Sequence, residues 1–67
     1  MAGVLTEAEK QIIENVRKSI HDSIDYIVMS LESGNYYSAT HYADMMLEYF
    51  SILRKVINAV KVRVDNA

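Results

Sequence analysis

A chain of 67 residues, 51% apolar and with a formal charge of −2, describes one small domain of folded composition. It has no cysteine, which excludes disulfides and thiolate metal sites, and so small a charge excludes retention on nucleic acid by bulk charge alone. No stretch approaches the ~20 apolar residues of a membrane span. Residues 1–5 lack the basic region of a secretory signal, so the expected location is the cytoplasm and no membrane partner is expected.

In chain order, residues 1–5 read as a flexible end. Thr6-Glu7-Ala8-Glu9 then forms a capping box, in which the Thr6 hydroxyl accepts from the Glu9 N–H and the Glu9 carboxylate accepts from the Thr6 N–H. The box predicts a first helix over 7–32. Its apolar stripe is Ile13, Val16, Ile20, Ile24, Ile27 and Leu31, in which positions recur every eleven residues; that spacing does not favour a left-handed supercoil.

Ser33-Gly34-Asn35 is the one break in the pattern. Gly34 accepts the left-handed conformation that ends a helix, and Asn35 is a good N-cap for the next. A second helix is predicted over 36–64, followed by a polar end at 65–67. So short a connection folds the two helices back antiparallel. The fold class is therefore all-α, a long antiparallel helical hairpin occupying the whole chain as a single domain. Centring it on Gly34 sets Lys55 near Glu14, and Lys61 and Arg63 near Glu7 and Glu9.

The second helix carries Ala39, Ala43, Met46, Phe50, Leu53, Ile57, Val60 and Val64 at steps alternating between four and three, the spacing of a coiled-coil seam. Because the first stripe follows a different period, the pair is expected to form a globular bundle and not a long coiled coil, with this seam satisfied inside one chain. Beside the seam run Tyr42, Tyr49 and Val56, and beyond them Met45, Ile52 and Ala59. The combined arc is wider than the ~100° that one helix contact occupies. A domain this small also buries only ~60% of its unfolded surface. Tyr42, Met45, Tyr49, Ile52 and Val56 are therefore the expected oligomer or partner interface, with a second copy of the chain making a four-helix bundle by twofold symmetry and another helical protein as the further candidate.

The polar residues offer little chemistry. His21 lies near Asp22 and Asp25, and His41 near Asp44, but neither the Glu-x-x-His pattern of a di-metal bundle nor a second histidine on either helix is present. Ser19, Ser23 and Ser30 border the first stripe without a base to activate them, and read as small residues at a close helix contact. No catalytic residue, cofactor or metal is expected, and the chain reads as a non-enzymatic interaction module acting as a homo-oligomer. The alternative is a nucleic-acid-associated protein contacting phosphate through Arg54, Lys55, Lys61 and Arg63, against which Glu7, Glu9 and Glu14 lie opposite in the hairpin.

Gly34, Asn35, Tyr36, Ala39 and Tyr42, with Leu47 further on, resemble the turn and second-helix start of a tetratricopeptide repeat. The resemblance implies a tight turn with closely packed small residues. The second helix runs well past the length of a repeat helix and no second repeat follows, so no functional residue is carried over from it.

Overall fold

The computed structural model describes residues 5–66. Two helices, α1 (Glu7–Glu32) and α2 (Tyr36–Asp65), pack side by side as an antiparallel hairpin, and the described residues contain no strand. Of the flexible ends expected at 1–5 and 65–67, residues 1–4 and 67 lie outside the described residues; Leu5 is half-buried and Asp65 is the last helical residue. The hairpin is a rod of 51 × 15 × 15 Å, as expected for two helices of this length lying alongside one another.

Local hydrogen bonds set the helix ends. The Glu9 N–H donates to Thr6 Oγ1 at 3.1 Å and the Thr6 N–H donates to Glu9 Oε1 at 2.9 Å, so both halves of the capping box are made. At the turn, the Gly34 N–H donates to the Leu31 carbonyl (3.2 Å) and the Asn35 N–H to the Ser30 carbonyl (2.8 Å). This is the Schellman pattern, and it requires the left-handed conformation that Gly34 adopts, with φ of 77°. Asn35 completes the reversal, since its side-chain oxygen accepts from the Ser38 N–H and caps α2.

Packing differs from the sequence expectation in which strips face each other. On α1 the inward residues are Ile13, Val16, Ile20, Ser23, Ile27 and Ser30, all buried or half-buried, while Ile24 and Leu31 are 47% and 51% exposed. On α2 they are Ala39, Tyr42, Met46, Tyr49, Leu53, Val56 and Val60, while Ala43, Phe50, Ile57 and Val64 are exposed. Both strips advance by alternating threes and fours, so the stripe with an eleven-residue repeat and the globular bundle drawn from it are corrected. Along a 50-Å rod two strips stay in contact when they share one period, and a shared 3.5-residue period does so for helices that wind slightly about each other, whereas strips of different period drift apart. Serine is accepted at two α1 positions because a small side chain lets the backbones approach. The most buried residues are accordingly small or short: Ser23 (4% exposed), Val16 (6%) and Ala39 (7%).

Candidate interaction surface

Glu9 and Arg63 tie the open end of the hairpin and show why these strips were selected. The guanidinium grips the carboxylate with both arms, Nη1 to Oε2 at 2.6 Å and Nη2 to Oε1 at 2.5 Å, across 54 residues of chain. Glu9 is mostly covered while also accepting from the Thr6 N–H, and Arg63 is about half exposed. The Arg63 contact first, and then the Thr6 N–H, hold the Glu9 carboxyl at about 2, and the same contact pushes Arg63 up. Counting by sevens from Glu9 reaches Val16, Ser23 and Ser30; counting back by sevens from Arg63 reaches Val56, Tyr49 and Tyr42. The ion pair and the packed strips are one register. Of the other opposed charges drawn from the sequence, Lys55 makes no ion pair with Glu14. Glu14 instead pairs with Arg17 and Glu7 with Lys10, each within its own helix.

The expected interface residues thus occupy mixed positions. Tyr42, Tyr49 and Val56 are half-buried on the side of α2 that meets α1, and Tyr42 stacks on Tyr26 of α1 with ring centroids 5.0 Å apart and planes 19° from parallel. Met45 is half-buried at the edge of that contact, and Ile52 is 38% exposed beside it. Of the four candidate phosphate contacts, Arg54, Lys55 and Lys61 are exposed, whereas Arg63 is held by Glu9.

In an antiparallel helix pair, the positions immediately flanking the packed strip at the same heptad place lie on the same side of both helices. One flank of the hairpin accordingly brings together Ile24 and Leu31 of α1 with Tyr36, Ala43, Phe50, Ile57 and Val64 of α2, all exposed. Val28 and Leu47, also exposed, extend its rim. The opposite flank carries Ile12, Ser19, Tyr26, Met45 and Ile52, with Met29 and Val62 at its rim. Ser19 and Met45 are half-buried and Tyr26 lies over Tyr42, while Ile12, Tyr26 and Ile52 remain 38–48% exposed. The outer face is polar apart from Tyr37: Gln11, Lys18, Asp25 and Glu32 on α1, and Asp44, Ser51 and Asn58 on α2. The first flank is the surface that sequence reasoning placed indoors. The signal that would have found it is the Glu9–Arg63 pairing, used as a phase marker for both helices.

Charge is divided along the rod. All seven Lys and Arg lie in the open half, before Ser19 or after Leu53, among Glu7, Glu9, Glu14 and Asp65. The turn half carries Asp22, Asp25, Glu32, Asp44 and Glu48 with no Lys or Arg. His21 lies 3.8 Å from Asp25 and 4.0 Å from Asp22 on an exposed face, and His41 meets the edge of the Tyr42 ring at 5.4 Å. No group of metal-ligating side chains gathers among the described residues, and no helix there is long and apolar enough to cross a membrane. No protein-family model, no curated protein and no solved structure matches this chain.

Proposed function

We propose that this chain is a non-enzymatic, cytoplasmic helical interaction module that works as a homo-oligomer, with two hairpins closing into a four-helix bundle. The observation that carries this reading is the imbalance between its core and its surface. Only Val16 and Ala39 among the apolar residues are buried, while fourteen large apolar or aromatic side chains are exposed among the described residues. The folded chain exposes 5354 Å², against about 4,300 Å² for a compact monomer of its mass. The excess of roughly 1,000 Å² is comparable to the ~800 Å² per partner that a stable protein interface covers. Burying apolar surface returns ~25 cal/mol per Å², so closing an apolar flank is the largest stabilisation still open to this fold. Sedimentation equilibrium at micromolar concentration tests the proposal: the expected mass is twice 7.7 kDa, and a monomer across the whole concentration range overturns it.

A second reading, contact with a nucleic-acid backbone, is favoured by the confinement of all seven Lys and Arg to the open half. Arg54, Lys55 and Lys61 are the exposed cations on α2 that would make it, with Arg63 already engaged by Glu9. Oligonucleotide affinity that falls with added salt and with Arg54→Glu/Lys55→Glu supports this reading; no binding at low salt removes it.

A further inference from the structure

We infer that the second copy of the chain covers the flank containing Phe50, and that it does so head to tail, the turn of each hairpin lying over the open end of its partner. The inference rests on the self-association proposed above and adds to it a face, an axis and an orientation.

The face follows from what each flank leaves open. Both flanks leave some apolar side chains open, but the Phe50 flank leaves more of them and leaves them further open. Ile24, Leu31, Tyr36, Phe50, Ile57 and Val64 are exposed there, against Ile12, Tyr26 and Ile52 on the other, and α2 contributes an apolar residue at every seventh position from Tyr36 to Val64. Taking about 100 Å² for each half-exposed large side chain, its six large residues, with Ala43 and the rim residues Val28 and Leu47, reach the ~800 Å² a side of a stable interface. The other flank is already partly closed by the Tyr26–Tyr42 stack.

The axis follows from the spacing. Phe50 is the midpoint of the α2 series, with Ala43 and Ile57 seven residues to either side and Tyr36 and Val64 seven further. A twofold axis passing beside Phe50 lays each α2 antiparallel on its copy. Ala43 then meets the partner's Ile57, small against large, and Tyr36 meets the partner's Val64. The same rotation brings Ile24 and Leu31 of α1 over the partner's Arg17 and the partner's Lys10. The aliphatic stems of such side chains cover apolar neighbours while their charged heads stay at the wet rim.

The orientation follows from charge. Packing turn over turn would set five carboxylates beside five, with no cation in either half, and would crowd the Lys- and Arg-rich halves together. Head to tail, each acidic half lies against a half holding all of its partner's Lys and Arg. Like charges across an interface oppose association and opposite charges set register, over the ~10 Å reach of electrostatics in moderate salt.

The test uses the full chain and its lack of cysteine. Tyr37, 93% exposed on the outer face near the turn, accepts a single spin label as Tyr37→Cys. Tyr37 lies thirteen residues from Phe50, so the head-to-tail dimer places the two labels about 40 Å apart at 1.5 Å per residue along the rod, whereas turn-over-turn packing brings them to within about 25 Å. Pulsed dipolar spectroscopy on the dimer fraction is expected to give the long distance. A short one overturns the orientation while leaving self-association intact; a monomeric protein overturns both. Phe50→Glu is expected to raise the dimer dissociation constant at least 100-fold, while Ile52→Glu, on the other flank, changes it less than threefold. The reverse ranking overturns the choice of face; if Phe50→Glu fails to fold, Ile57→Ser on the same flank is compared with Ile52→Ser, and a weaker dimer from the Ile52 variant overturns the choice of face.

Discussion

The two ends of the rod are closed by different means. At the turn, every stabilising bond lies within a few residues: Ser33, Gly34 and Asn35 donate to carbonyls of the last turn of α1, and Asn35 caps α2. At the open end, 54 residues separate Glu9 from Arg63, and a two-armed ion pair does what the covalent turn does at the other end. The turn brings the helices together but leaves their rotation about their own axes free. The ion pair is compatible with one rotation only, the one that puts Glu9 and Arg63 on the facing strips, and it adds to the close packing at Val16, Ser23 and Ala39 in favouring it. The difference teaches that connectivity and phase are separate determinants in a helical hairpin, written in different parts of the chain.

The largest expected effect comes from the strip that both ends serve. Ser23→Leu places a large side chain at the most buried point of the helix contact, and overpacking of this kind costs about 1–3 kcal/mol. Urea denaturation should show it as a lower midpoint, and an unchanged midpoint would show that the helices do not approach closely there. At the turn, Gly34→Ala meets nothing within 4 Å, so its whole effect is the left-handed backbone. That conformation costs a side-chain-bearing residue about 1–2 kcal/mol. Asn35→Ala, which removes the cap on Ser38, should cost about 1 kcal/mol in the same assay.

The open end responds to pH where the turn does not. Glu9 is held at about 2 when folded against an ordinary value of 4.5. A carboxyl lowered by folding stabilises fully above its unfolded value, and that contribution disappears as pH falls through the folded one. Stability should therefore fall between pH 4.5 and about 2, and Glu9→Gln should remove that part of the pH dependence while lowering Tm slightly at pH 7. The step is modest, because the pair is partly exposed and screened by salt. A Glu9→Gln profile superimposable on the parent's would mean that the pair does not persist in solution. The smallest effect is expected from Lys10→Ala, which breaks an exposed pair with Glu7 and should change stability by less than ~0.5 kcal/mol.

The sequence alone determined the helix boundaries, the turn and the antiparallel pairing. Thr6 with Glu9, Gly34 and Asn35 specify them through bonds spanning at most five residues, which a linear reading can trace. It also set Arg63 near Glu9, because a centred hairpin has little freedom along its axis. It did not decide which strip of each helix faces inward. On α2, Ala39, Met46, Leu53 and Val60 belong to two seams of the same period, one continued by Ala43, Phe50 and Ile57 and the other by Tyr42, Tyr49 and Val56. Hydropathy favours the first of these, which is the one left exposed, and on α1 it likewise favours Ile24 and Leu31 over the Ser23 and Ser30 that are used. Only the tertiary structure made that choice, because the phase of a helix is a joint property of two surfaces. It is settled where small residues permit close approach and where Glu9 and Arg63 meet, not by the apolarity of either helix taken singly.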